Sequence, residues 1–170
     1  MIFFDNHFNE NTMVTVLIQV KNYLAEYAKS KFFVEGESYI QFPDSDYMYH
    51  VVYNLMSKRP EDVSFDSGNL EIALPHRSRG KDPSTYNYIC KSGQDVIEKK
   101  LNRLFWAQMH DFIDEQVHEF GQPINESVFL FMRKYNINAI TEDALVKSYY
   151  RWRAKIRRKI KKRKYEKAYD

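Results

Sequence analysis

The chain is 170 residues long, which suits one domain with an appendage and is too short for two full-sized domains. It is 44% hydrophobic and 29% charged, with 5 Gly and 5 Pro, and these values exclude collagen-like, low-complexity and wholly disordered proteins. Its single cysteine excludes an internal disulfide framework and any multi-cysteine zinc module. Since no apolar run approaches the roughly 18 residues of a membrane span and no signal peptide is evident, we expect a cytoplasmic protein without a membrane span.

The N-terminal part predicts a helix followed by a short strand. Residues 11–12 are good helix caps, and the apolar spacing that follows predicts a helix to about Lys31. The stretch Met13–Val16 partly alternates, so a strand start there stays open. Ser38–Phe42 predicts a short strand that ends at Pro43.

The next segment predicts a second helix and a second strand. Asp44 or Ser45 would cap the helix, which must stop before Pro60 because a residue preceding proline is pushed out of the helical region. Asp66–Asn69 is a turn, and Leu70–Leu74 follows as a strand. A two-stranded sheet is marginal alone, so helices must cover it.

The C-terminal half predicts three helices. Apolar residues at three-and-four spacing over Ile97–Phe120 predict a long helix that ends at Gly121. Ile124–Tyr135 is a shorter helix, Asn136 can take the left-handed position that ends it, and Thr141 caps the last helix. The predicted fold is therefore α-rich α+β, with about five helices, a small two-stranded β element and a projecting basic C-terminal helix.

Charge divides the chain into two parts. Residues 151–170 contain eleven Lys or Arg against two acidic residues, which leaves a net charge of +9. Residues 1–150 carry 15 basic and 21 acidic residues, or −6. We therefore expect an acidic, aromatic-rich body over 1–140 and a basic C-terminal helix or extension over 141–170. Such asymmetry suggests a polyanionic partner, either the backbone of DNA or RNA or an acidic protein surface.

The last helix combines an apolar stripe with a dense set of cations. The stripe, a candidate docking surface, is formed by Leu145, Tyr149, Trp152, Ile156 and Ile160. The candidate binding residues around it are Arg151, Arg153, Lys155, Arg157, Arg158, Lys159, Lys161, Lys162, Arg163 and Lys164. Like charges at helical spacing repel, and phosphate would relieve that repulsion. A solvated disordered tail, a membrane-surface helix and a helix docked in a protein groove remain alternatives.

A second basic patch occupies the loop after the second strand. Arg77, Arg79 and Lys81 surround a glycine there and form a candidate phosphate-contacting patch, with Tyr86 and Tyr88 available to stack on bases. The glycine and serine pattern of a P-loop is missing. An ordinary exposed loop is the alternative reading.

No catalytic or metal site emerges from the pattern of reactive residues. His110, Asp114 and His118 share one face of the long helix, but the histidines lie about 12 Å apart along its axis, too far for one metal ion. We expect a solvated polar face there. Cys90 has no evident base partner, and no nucleophile elbow occurs. The sequence thus predicts a protein that is not an enzyme and needs no cofactor or metal.

Three stretches of the chain carry a resemblance to known proteins: Leu74–Pro83, Leu104–Ala107 and Ile140–Leu145. They resemble small non-enzymatic proteins of tailed phages, particularly crAss-like phages, or of mobile elements of gut bacteria. The resemblance implies a virion or genome-handling component assembled in the host cytoplasm, for instance a subunit of the head–tail connector or a tail ring, and it identifies no functional residues.

Two functions follow as hypotheses. The first is non-enzymatic binding of a polyanion, above all a nucleic-acid backbone, through the basic C-terminal helix. The second is a structural assembly subunit, a possible homo-oligomer, whose terminal helix docks on neighbouring copies. Five phenylalanines near the start favour the second because one core cannot hold them all, namely Phe3, Phe4, Phe8, Phe32 and Phe33.

Overall fold

The computed structural model describes residues 13–63 and 65–166, with side chains described through Lys159. This part of the chain confirms an α-rich α+β fold with five helices and a two-stranded antiparallel sheet. In chain order the elements are β1 (Thr15–Ile18), α1 (Asn22–Lys31), α2 (Tyr47–Leu55), β2 (Leu70–Ala73), α3 (Lys91–His118), α4 (Ile124–Lys134) and α5 (Glu142–Glu166).

The chain divides into two compact units. Of the described residues, the first unit comprises 13–20, 32–63 and 65–97, and the second comprises 21–31 and 98–166. The sequence predicted a boundary at residue 140 on the basis of charge, whereas these two units are defined by packing. Leu145 of α5 is accordingly buried within the second unit.

The sheet of the first unit pairs different residues from those expected. β1 runs antiparallel to β2, with Thr15 opposite Ala73. The strand expected at residues 38–42 is wrong, because Ile40 makes only isolated bridges. Its N–H donates to the carbonyl of Glu71 at 2.9 Å, and its own carbonyl accepts from Ala73 at 2.9 Å. The alternating stretch after Met13 supplies the first strand instead, and the first helix begins only at Asn22.

Helix α2 begins later than expected. Its N-cap is Asp46 rather than Asp44 or Ser45, and the Asp46 carboxylate accepts a hydrogen bond from the Met48 N–H at 2.7 Å. A cap at this position satisfies an N–H that has no partner inside the helix. The buried face carries Met48, Val51 and Val52, as the apolar spacing predicts.

An aromatic core holds the second unit together. Tyr27 of α1, Phe105 of α3 and Phe131 of α4 are fully buried. The Phe105 ring centroid lies 5.3 Å from that of Tyr27 and 5.8 Å from that of Phe131, in edge-to-face geometry. Such aromatic pairs add about 0.5–1.5 kcal/mol each beyond their area burial. These contacts fix α1, α3 and α4 relative to one another within this unit.

The connection between α4 and α5 follows the prediction. Asn136 has φ 48°, the left-handed conformation that ends a helix. The Ile137 N–H then donates to the Met132 carbonyl at 2.9 Å, and Ile137 is buried. Thr141 caps α5, since its hydroxyl accepts from the Ala144 N–H at 3.3 Å. This turn sets where α5 starts.

Candidate nucleic-acid interface

The first half of α5 is fixed by its apolar stripe. Leu145 and Tyr149 are buried, and Trp152 and Ile156 are half-buried. The Trp152 ring stacks on His110 of α3 with centroids 4.9 Å apart and planes 12° apart. Ile160, the last member of the predicted stripe, lies outside the described side chains. The stripe therefore packs within the second unit over the length for which side chains are described.

A polar cluster ties α5 to α3 beside this stripe. The Asp114 carboxylate accepts hydrogen bonds from the Tyr149 hydroxyl at 2.9 Å and from Arg153 Nη1 at 3.0 Å. Arg153 Nη2 also lies 2.7 Å from His118 Nε2. Burial and the neighbouring Asp114 carboxylate raise the pKa of Tyr149 to about 12. Arg153 is therefore an internal tether rather than an exposed binding residue.

The prediction of a solvated polar face for His110, Asp114 and His118 is wrong for His110. His110 is 9% exposed, and its Nε2 lies 3.1 Å from the Ser148 hydroxyl of α5. Burial lowers its pKa, so the ring is held in its neutral form near pH 7. The polar residues on this face of α3 were read as solvent-facing because a sequence pattern does not identify which helix covers which face.

Helix α5 also presents cations to solvent. Arg151, Lys155, Arg157, Arg158 and Lys159 are all exposed. Among the described residues, no carboxylate lies within 4.0 Å of any of them. Arg151, Lys155 and Arg158 step by four and then three residues, so they form one row of roughly 10 Å along the helix axis. We call these three residues the outer row.

The remaining basic residues of α5 are placed only as positions along the helix. Lys161, Lys162, Arg163 and Lys164 fall inside the helical range, which extends to Glu166, and their side chains lie outside the described residues. The predicted helix therefore continues through the whole basic run.

The basic loop of the first unit contains cations with different tasks. Lys81 Nζ donates to the carbonyls of Asn54 at 2.8 Å, Met56 at 2.6 Å and Tyr53 at 3.2 Å. It thus caps the C-terminus of α2, where carbonyls lack helical partners. Arg79 is exposed. Of the three loop residues predicted to bind phosphate, Lys81 instead forms hydrogen bonds that stabilise the fold.

The tyrosines expected to stack on bases already face cations of this chain. Lys58 Nζ lies 5.9 Å from the Tyr86 ring centroid, and Arg59 Cζ lies 5.5 Å from that of Tyr88. Both rings are half-buried. They therefore serve as packing surfaces for the side chains around them.

Sequence reasoning missed the aromatic residues of α2 beneath Arg77. Its guanidinium carbon lies 4.0 Å from the Tyr53 ring centroid and 5.4 Å from that of Tyr49. The two tyrosines are four residues apart, which places them on one side of a helix. Their spacing could have predicted that the two rings lie side by side on α2. A periodic pattern could not have predicted the contact with Arg77, because Arg77 lies more than 20 residues later in the chain.

The described residues gather no metal centre and no membrane span. Within 13–63 and 65–166, no group of three His, Cys, Asp or Glu side chains is arranged to hold a metal ion. No helix in the same ranges is long and apolar enough to cross a membrane. Cys90 is exposed, and its hydrogen bond with Ser92 lowers its pKa. Comparison with protein-family models, with curated protein sequences and with solved structures finds no match to this chain.

Proposed function

We propose that this protein binds a nucleic-acid backbone, without catalysis, through the outer row of α5. One observation carries the proposal. The inner side of α5 is fixed by Tyr149, Trp152 and Arg153, while the outer row is exposed and lacks an acidic partner among the described residues. A fixed helix presents its cations in a constant geometry, so binding does not require the helix itself to be ordered first.

Electrostatics favour a polyanion as the occupant. Neighbouring like charges on a helix cost a few tenths of a kcal/mol per pair, and bound phosphates remove that cost. Each phosphate contact also releases condensed counterions, so affinity falls steeply with salt. This mode of binding needs no base contacts. It fits a helix whose N-terminal turn carries Glu142 and Asp143, since these residues repel phosphate where a helix-turn-helix protein contacts bases.

A structural assembly subunit is the second candidate, favoured by exposed apolar side chains. In the second unit, Phe120 is 61% exposed and Phe129 is 41% exposed. In the first unit, Phe33 is 66% exposed, whereas Phe32 is buried and belongs to the core. Phe3, Phe4 and Phe8 lie outside the described residues. A phage connector or tail-ring role, and the phage origin itself, remain proposals of this second candidate.

A pair of charge-matched variants tests nucleic-acid binding. One variant replaces the outer row: Arg151→Gln, Lys155→Gln and Arg158→Gln. The control removes the same charge from exposed positions on α1 and α3: Lys29→Gln, Lys99→Gln and Arg103→Gln. Fluorescence anisotropy with a labelled duplex and a labelled single strand gives the dissociation constant of each protein from 50 to 300 mM KCl.

We expect the outer-row variant to reduce the slope of log affinity against log salt by about 2.7 for duplex DNA, or roughly 0.9 per lost contact. The control variant should keep the wild-type slope. Equal slopes for the two variants would instead mean that only net charge matters, and the outer row would not be the interface. A wild-type protein with no measurable affinity at 50 mM KCl would exclude the proposal altogether.

A further inference from the structure

A second cationic site lies in the first unit. An open depression of about 510 Å³ is lined by Asp44, Tyr49, His50, His76, Arg77, Ser78 and Arg79. Two arginines and two histidines thus surround it, against one carboxylate. Among the described residues, neither arginine has a carboxylate within 4.0 Å. The depression is therefore suited to an anion.

Arg77 is held in place by neutral partners. Its guanidinium lies over the Tyr53 ring, with Cζ 4.0 Å from the centroid, and its Nη2 donates to His50 Nδ1 at 2.6 Å. An arginine held by an ion pair has its charge neutralised, whereas one held by a ring face and an imidazole keeps its charge available. Because Nδ1 accepts this bond, the neutral ring carries its hydrogen on Nε2, which is then a second donor.

The loop that carries the site is fixed before any ligand binds. The Tyr49 hydroxyl donates to the His76 carbonyl at 2.8 Å, and the Lys81 N–H donates to the Tyr53 hydroxyl at 2.9 Å. The Lys81 ammonium holds the same loop to the end of α2. A preorganised set of donors loses little conformational entropy on binding, which favours a small ligand.

A second pocket, lined by both polar and apolar groups, adjoins the cationic depression. It has a volume of about 350 Å³ and shares Asp44, Tyr49 and His76 with the depression. The residues that it adds include Phe42 and Pro75, which are apolar, and Gln41, which is polar. This mixed lining suits a flat ring that carries polar edge atoms, and the shared residues let the anion attached to such a ring reach Arg77. The combination suits a phosphomonoester of a ring compound better than inorganic phosphate alone.

We propose that this depression binds the phosphate group of a phosphomonoester, with Arg77 and Arg79 as its charged donors and the adjoining pocket holding the attached ring. Nucleoside 5′-monophosphates belong to this chemical class. The site belongs to the first unit, so the inference does not depend on the proposed role of α5.

Isothermal titration calorimetry on the full chain at 50 mM NaCl tests the site with adenosine 5′-monophosphate, inorganic phosphate and adenosine as probes. We expect the nucleotide to bind more tightly than phosphate, and adenosine to bind at least tenfold more weakly than the nucleotide. Arg77→Gln should weaken nucleotide binding about tenfold, as expected for a lost charge-assisted hydrogen bond. Arg79→Gln provides a second variant whose exposed side chain leaves folding intact.

The charge-matched control is a single variant, Lys58→Gln or Lys91→Gln, at a position that is exposed elsewhere in the same unit. It should retain wild-type affinity, and so should the outer-row variant of α5. No heat of binding with the nucleotide up to 10 mM would overturn the proposal, as would equal affinities for adenosine and the nucleotide. Loss of nucleotide binding in the outer-row variant would also overturn it, because the ligand would then bind at α5. Failure of α5 to bind DNA would leave the site unaffected.

Discussion

Two arginines on α5 show how position decides the role of a residue. Arg153 bonds to Asp114 and His118, whereas Arg151, two residues earlier, is exposed and lacks an acidic partner among the described residues. The two residues differ by about 200° around the helix. Sequence alone classes both as binding residues, since it shows neither the carboxylate nor the imidazole that faces Arg153.

The Tyr149 hydroxyl provides a test of the contact between α5 and Asp114 of α3. Its hydrogen bond goes to a carboxylate, so Tyr149→Phe should lower the free energy of unfolding by about 1–2 kcal/mol at pH 8. The folded-state pKa of about 12 exceeds the ordinary value of 10, so the contribution is complete below pH 10. As pH rises from 10 to 12 it is lost, because the unfolded chain ionises first.

The difference in stability between wild type and Tyr149→Phe should therefore shrink above pH 10. Urea unfolding followed by far-ultraviolet circular dichroism between pH 8 and 12 measures it. Stability curves that stay parallel over this range would show that the hydroxyl is not held by Asp114. The other tyrosines affect both proteins equally, so they cancel in the comparison.

At the scale of elements, the helices could be predicted better than the strands. Periodicity located α3, α4 and α5, because each buries one apolar face over several turns. β1 was ambiguous, since its four residues fit either period. Ser38–Phe42 resembled a strand, yet Ile40 alone bridges to its neighbours. A short strand depends on a partner distant in sequence, and that information is absent from a local pattern.

The candidate sites also differ in how well the sequence predicts them, depending on whether their residues are close together in the chain. The basic run and the apolar stripe of α5 are local, so spacing alone predicted a helix with a fixed side and a charged side. The cationic depression is not local, since Tyr53 and Arg77 come from different elements. Lys81 was interpreted as a phosphate contact because the carbonyls that it caps lie more than 20 residues earlier in the chain.

The loop that carries this depression depends on Gly80. It has φ +109°, and an added Cβ would collide with the Tyr53 hydroxyl. Gly80→Ala should therefore lower the free energy of unfolding by about 1–3 kcal/mol and displace the ring beneath Arg77. Gly36→Ala is the matched control, since Gly36 has φ +81° with nothing within 4 Å of the added atom.

Thermal unfolding of the two variants separates backbone strain from the collision. Both variants place an alanine at a positive φ that glycine adopts more easily, so the extra destabilisation of Gly80→Ala reports on Tyr53. That variant should also lose affinity for the nucleotide, whereas Gly36→Ala should bind it normally. Equal melting temperatures for the two variants would indicate that Tyr53 moves aside without cost.

At the scale of the whole chain, the charge division makes association with other copies depend on salt. A segment of net charge +9 and a body of net charge −6 attract one another between molecules at low ionic strength. We therefore expect the sedimentation coefficient at about 20 mM salt to rise with protein concentration. This rise should disappear near 0.3 M salt, where the screening length falls to about 6 Å.

The same measurement distinguishes the two candidate functions, because an apolar interface is not screened by salt. If Phe33, Phe120 and Phe129 join copies in an assembly, oligomers should persist at 0.3 M salt. If the outer row of α5 binds a nucleic acid, the glutamine variant of this row should associate less at low salt. Short duplex DNA should also dissociate the wild-type oligomers, because it competes for the same cations. Oligomers that resist salt and DNA alike would favour the assembly subunit, since attraction between opposite charges cannot produce them.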